Sequence, residues 1–202
     1  MKYEVRTNKV ENGSNGVVAM ATIVIEDKFA VNNIRLVHKT EEDKYVVYYP
    51  TRKSGKEDSG YTSILHPYTS ELAQSLREAI LTSYNTGENQ VVNNDTPFKL
   101  KVDVVPYEKE GESLVAFCNV RFSDKNEFAI NDIQLRKSSE GNVFMTMPNY
   151  KKKDGTYTDV CNPITKEFRE ELNNMIMESY EKAKDMKNEK SATYEHKNKN
   201  AR

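Results

Sequence analysis

The chain has 202 residues, room for one ordinary domain or two small ones. Thirty basic against thirty-one acidic residues leave a net charge of −1, which excludes the strong overall positive field of a dedicated nucleic-acid binder and leaves only local patches. No apolar run approaches the roughly 18 residues of a membrane span, and the opening MKYEVRTNKV lacks a secretory apolar stretch, so a cytoplasmic protein without a membrane role is expected.

In chain order, the first clear element runs from Val17 to Ile25. Apolar side chains occupy nearly every position, which predicts a central strand buried wholly or largely on both faces. The next strand carries Phe29 and Val31, then Ile34 and Leu36. Its apolar parity switches at Asn32 and Asn33, and a β-bulge there restores the pattern. Tyr45 to Tyr49 predicts a further strand ended by Pro50, followed by a polar, Gly-containing loop and a short stretch before His66-Pro67. The period then changes: Leu72, Leu76, Ala79, Ile80 and Tyr84 form one helical stripe, with Thr69 as N-cap and Glu71 in the first turn.

The whole pattern then returns. KFAVNNIRL (Lys28 to Leu36) recurs as EFAINDIQL (Glu127 to Leu135), and VVAMATIVI from Val17 as LVAFCNVRF from Leu114. Tyr49-Pro50 answers to Met147-Pro148, and His66-Pro67 to Asn162-Pro163. Glu71, Leu72, Leu76, Ile80 and Tyr84 reappear 96 positions later as Glu167, Phe168, Leu172, Ile176 and Tyr180. The parity switch recurs at Asn131-Asp132, so the bulge belongs to the fold rather than to one copy. The fold class is α+β: two repeats, each a small antiparallel sheet with one C-terminal helix lying across it. Repeat one spans 1–85 and repeat two 98–184, joined by an Asn/Gly/Thr-rich linker at 86–97. Residues 185–202 read as a disordered tail. It is basic: from Lys182 onward there are seven Lys/Arg and three Asp/Glu.

The second copy serves as an internal control on candidate chemistry. Cys118 stands where the first copy has Ala21, and Cys161 where it has Leu65, so both thiols read as core packing rather than nucleophiles or a disulfide. His38, His66 and His196 do not repeat. Neither GxGxxG nor a Walker loop is present, and no Cys/His spacing suits a metal. No cofactor, metal or catalytic residue is expected, and the chain reads as a non-enzyme. The repeated charged feature is the loop after the proline: TRKSGKEDSGYT, with Arg52, Lys53 and Lys56, and NYKKKDGTYT, with Tyr150, Lys151, Lys152 and Lys153. Cations beside aromatics can hold phosphates and stack bases; the same residues also suit a hairpin loop that is merely soluble.

These elements resemble the stage V sporulation protein G family of bacteria, also called septation protein SpoVG. The residues that carry the resemblance are Phe29-Ala30-Val31, Pro50-Thr51-Arg52-Lys53, His66-Pro67-Tyr68 and Tyr84. In the second copy they are Phe128-Ala129-Ile130, Pro148-Asn149-Tyr150-Lys151 with Asp154-Gly155, Asn162-Pro163-Ile164 and Tyr180. The resemblance implies a regulator that binds DNA or RNA, with a link to septation and sporulation, and a homodimer. Two fused copies then imply an intramolecular pseudo-dimer, since a short linker makes association intramolecular; further pairing between chains stays open. In the family, basic residues near the helix end are implicated in nucleic-acid contact. Here the first helix ends Leu81-Thr82-Ser83-Tyr84-Asn85 without a cation, whereas the second continues into Lys182, Lys184 and Lys187. The rival reading is a protein-interaction module acting on a division, sporulation or mobile-element partner.

Overall fold

The computed structural model describes residues 1–53, 60–107, 109–123, 125, 128–152 and 154–199, with side chains described up to residue 187. The first repeat opens with β1 (Lys2–Lys9), β2 (Val17–Ile25), β3 (Phe29–Lys39) and β4 (Lys44–Tyr48). A hairpin of β5 (Thr51–Lys53) and β6 (Tyr61–Ser63) leads into the three-residue strand β7 (Leu65–Pro67), then α1 (Ser70–Thr86) and β8 (Gln90–Asn93). The second repeat follows with β9 (Lys101–Pro106), β10 (Leu114–Arg121), β11 (Phe128–Lys137) and β12 (Val143–Thr146). Its hairpin is β13 (Asn149–Lys151) with β14 (Tyr157–Asp159), before β15 (Cys161–Pro163) and α2 (Lys166–Lys199). The architecture is α+β with antiparallel sheets and one helix in each half, as expected.

As expected, β2 is central, between β1 and β3. Its Ala19, Ala21 and Ile23 face is fully buried, while Val18, Met20 and Thr22 on the other side are only half covered. That second face carries the cleft described below. The bulge also falls where the parity switch places it. Ala21 opposes Ile34 and Ile23 opposes Val31, so Asn32 and Asn33 share the single residue Thr22. In the second copy Cys118 opposes Ile133 and Val120 opposes Ile130, leaving Asn131 and Asp132 against Asn119. The extra residues, Asn33 at φ 62° and Asp132 at φ 70°, are left-handed, a conformation that Asn and Asp tolerate through local side-chain hydrogen bonds.

Beyond the bulge the sequence gives no hint of what the strands pair with. β7 of the first repeat pairs antiparallel with β11 of the second, Leu65 against Ile130 and Pro67 against Phe128. Reciprocally β15 pairs with β3, Cys161 against Val31 and Pro163 against Phe29. Each long bulged strand thus has its own repeat's β4 or β12 beside its C-terminal half and the other repeat's short strand beside its N-terminal half. The bulges are stitched into the exchange. The Asn32 N–H donates to the Val160 carbonyl at 2.8 Å and the Asn131 N–H to the Ile64 carbonyl at 2.7 Å. Side chains add to this: Asn131 Nδ2 donates to the Ser63 carbonyl at 3.3 Å, and Asn32 Nδ2 to Asn162 Oδ1 at 3.4 Å.

The helices begin alike. Thr69 Oγ1 accepts from the Leu72 N–H at 3.3 Å and Thr165 Oγ1 from the Phe168 N–H at 3.1 Å, each satisfying a first-turn donor. In α1 the buried stripe is Leu72, Leu76, Ala79, Ile80 and Ser83, and Ser83 meets Thr7 Oγ1 of β1 at 3.0 Å. Gly87, left-handed at φ 78°, ends that helix. Two stretches differ from expectation. Gln90–Asn93, inside the expected linker, adds β8 to the edge of β1. α2 continues as helix to Lys199, across residues 185–199 that the composition reads as an irregular tail. Between Lys166 and Lys199 there is neither Gly nor Pro, and Lys, Glu and Ala are good helix formers.

The two halves share one apolar core. At its centre Phe29 of the first repeat lies 5.3 Å from Phe122 and 6.2 Å from Phe168 of the second, and Phe98 contacts both of these rings. Removing a buried ring of this kind costs about 3–5 kcal/mol. Phe29→Ala is accordingly expected to lower stability by that amount in chemical denaturation. Wild type and variant should each show a single transition, with both halves unfolding together.

Candidate nucleic-acid interface

The exchange determines where the two basic hairpins sit. The Pro50 carbonyl accepts from the Ile64 N–H at 3.0 Å and the Pro148 carbonyl from the Val160 N–H at 2.8 Å, closing the base of each hairpin. Ile64 and Val160 are the same residues whose carbonyls reach the other repeat's bulge. Each hairpin is therefore pinned over the partner repeat's bulged strand. At the tip of the second hairpin Asp154 Oδ1 accepts from the Thr156 N–H at 2.9 Å and from its hydroxyl at 2.6 Å, with Gly155 left-handed. These bonds hold the exposed Asp154 carboxyl below its ordinary value.

Two clefts result. The first, of 730 Å³, is floored by Met20, Asn33, Arg35 and Tyr48 of the first repeat's sheet and walled by Arg52 and Tyr61 on one side and Asn149 and Tyr150 on the other. The second, of 470 Å³, contains Asp132, Gln134 and Thr146 at the corresponding floor positions, with Arg52 reaching in. Arg52 Nε pairs there with Asp132 Oδ2 at 3.0 Å. Burial pushes the Asp132 carboxyl up, and Arg52 pulls it partly back. The second cleft is further tied up by Arg136, which donates to Gln134 Oε1 at 2.8 and 3.1 Å.

Of the expected site residues, Arg52 and Tyr150 both line the first cleft. Lys53, Lys151 and Lys152 are exposed on the flanking hairpins. Lys56 and Lys153 lie outside the described residues. On α2, Lys182 and Lys187 are exposed, while Lys184 pairs with Glu181 at 3.0 Å and lies over the Tyr180 ring; none of the three lines the cleft. Arg35, Tyr48 and Tyr61 also line the first cleft, and sequence reasoning did not single them out. The signal for Arg35 was present in the repeat itself, where NIRL becomes DIQL and the cation is lost.

Both thiols are packed away, and His66 is half-buried against its neighbours. Cys118 and Cys161 are free and buried, and burial pushes both thiols up, Cys118 to about 12. His66 bonds Ser63 Oγ at 2.7 Å and lies against Tyr68, and burial lowers its pKa. Among the described residues no group of three or more His, Cys, Asp or Glu could hold a metal ion, and no helix is long and apolar enough to cross a membrane.

With this geometry in place, comparison with known proteins decides the family. The SpoVG family matches the chain twice, over residues 1–86 and 99–182. The chain belongs to the SpoVG family. Among its relatives are SpoVG proteins whose names provisionally link them to septation. One from Agathobacter rectalis is 38% identical over 73 residues, 36% of this chain and 79% of the relative. One from Lachnospira eligens is 36% identical over 75 residues, 37% of this chain and 81% of its own. Another, from Treponema denticola, is 33% identical over 72 residues, 36% of this chain and 74% of its own. Each such relative therefore matches about one repeat, whereas the family pattern occurs twice here.

Asp132 gives this pair of SpoVG repeats a testable pH signature. A carboxyl whose folded pKa exceeds its unfolded value binds more protons when folded, so its contribution to stability falls as pH rises from the ordinary carboxylate range through the raised value. Asp132→Asn, which copies Asn33, is expected to remove that fall. Because Arg52 is half exposed, it should change stability at neutral pH by no more than about 1 kcal/mol. Thermal melts of both proteins across the acid-to-neutral range check this.

Proposed function

We propose that this chain is a non-enzymatic regulatory protein that binds DNA or RNA, with repeats 1–85 and 98–184 folded as an intramolecular pseudo-dimer. The observation that carries the reading is the first cleft: two basic, tyrosine-bearing hairpins, one from each repeat, flank a single groove with no carboxylate among its described lining residues. Lys53, Lys151 and Lys152 stand exposed beside it, where phosphates of a strand lying in the groove would pass. The reciprocal pairing of β7 with β11 and of β15 with β3 supports the pseudo-dimer. The tail helix, with Lys182 and Lys187 exposed, supplies a second set of phosphate contacts. The relatives' names extend the proposal to a role linked with septation.

Affinity carried by about five lysines falls with salt at a log–log slope of roughly −3.5 to −4.5, the shallower value for single strands. Purified protein is therefore expected to bind mixed-sequence oligonucleotides at low salt and lose them steeply as salt rises. Joint Lys151→Ala and Lys152→Ala substitution should weaken binding and make the slope shallower by about 1.4 to 1.8. Absence of binding to any DNA or RNA at low salt would refute the reading.

A further inference from the structure

The two clefts occupy the same place in each repeat, yet their residues differ at the positions that would touch a ligand. On the first, Arg35 and Tyr48 are cross-strand partners on β3 and β4, with the guanidinium 5.7 Å from the ring centre. At the same register on β11 and β12 the second has Gln134 against Thr146. The left-handed bulge residue is neutral Asn33 in the first and acidic Asp132 in the second. Arg52, which lines both clefts, is committed to that acid. The second cleft, smaller at 470 Å³, thus carries the protein's own ion pair among its lining residues. The first has an exposed arginine and three exposed tyrosines, Tyr48 at 38%, Tyr61 at 68% and Tyr150 at 43%, where the second has one, Tyr157 at 66%.

Large rings left exposed around one groove keep apolar surface in water that a ligand could cover. Planar faces beside a guanidinium suit a flat, electron-rich ring joined to an anion. We infer that the first cleft is a base-binding site for single-stranded nucleic acid, one per chain, in which an unstacked base lies among Tyr48, Tyr61 and Tyr150 with Arg35 beside it. This rests on the nucleic-acid reading above and adds to it the strandedness, the stoichiometry and the residues. The volume of 730 Å³ lies within the range of sites that enclose small planar ligands. Duplex DNA keeps its bases stacked inside and has no free face to offer the tyrosines.

The second repeat supplies substitutions that the fold already accommodates at this register: Arg35→Gln and Tyr48→Thr. The test is titration of the full chain with a single-stranded oligonucleotide carrying 2-aminopurine, whose fluorescence is quenched on stacking, with the same sequence as duplex for comparison. The wild type is expected to bind one strand per chain, to quench the probe and to prefer the single strand. The double variant, its fold checked by an unchanged melting transition, should lose affinity roughly 5- to 150-fold, the span of one stacked base. It should also lose the quenching while keeping most of the salt slope, which falls by no more than about 0.9 for the lost Arg35 charge, because the lysines remain. If the double variant binds and quenches like the wild type, or if two strands bind per chain, the inference fails and the lysine-based reading survives. If no nucleic acid binds the wild type, both fail.

Discussion

Two strands of three residues each, β7 and β15, leave their own repeat and complete the other's sheet, and the rest of the molecule follows from that exchange. A short strand cannot hold itself in place. Here it is held by the bulge on the strand it joins, whose displaced N–H donates to the residue just before the short strand. The bulge therefore both corrects the apolar parity of β3 and β11 and provides the donor that registers the incoming chain. Because β7 is continuous with the hairpin before it and the helix after it, the exchange also positions the basic hairpin outside and the helix stripe inside. Phe29, buried against Phe122 and Phe168, is the apolar counterpart of the same crossing.

Fusing two copies in one chain changes what such an arrangement can do. Identical chains related by a two-fold axis must carry the same side chain at both equivalent positions. In a single chain the two positions are free to differ, and they do so at the cleft while remaining alike in the core. Asn33 and Asp132, Arg35 and Gln134, Tyr48 and Thr146 diverge, yet the bulge, the closing prolines and the capping threonines are kept. One cleft carries a cross-repeat ion pair on its floor, and the other does not.

Much of the fold was legible in the sequence because its physical causes are local or periodic. Apolar parity revealed β2, β3 and the bulge, and the 3.6-residue stripe and Thr69 revealed α1. The same signals repeated about a hundred residues later gave the second half. The exchange was not legible. Leu65-His66-Pro67 is too short to show a period, and alternation says which side chains face inward but not which strand lies alongside. The cleft was hidden for a related reason: Arg35 and Tyr48 are neighbours across β3 and β4, but Tyr150 is about a hundred residues away in sequence and joins them only because the second hairpin crosses over the first repeat. Composition singled out the loop cations, but not that one of them, Arg52, is engaged by Asp132, a pairing that no spacing announces.

The claim on which this account rests is that each half is completed by the other, and amide hydrogen exchange on the intact chain tests it most directly. The Asn32 and Asn131 amides have their acceptors in the opposite repeat. They are predicted to exchange only through global unfolding, with the same opening free energy as the amides of β2 and β10. Rapid exchange of these two amides while the central strands stay protected would show that the halves are not interlocked, and would contradict the account.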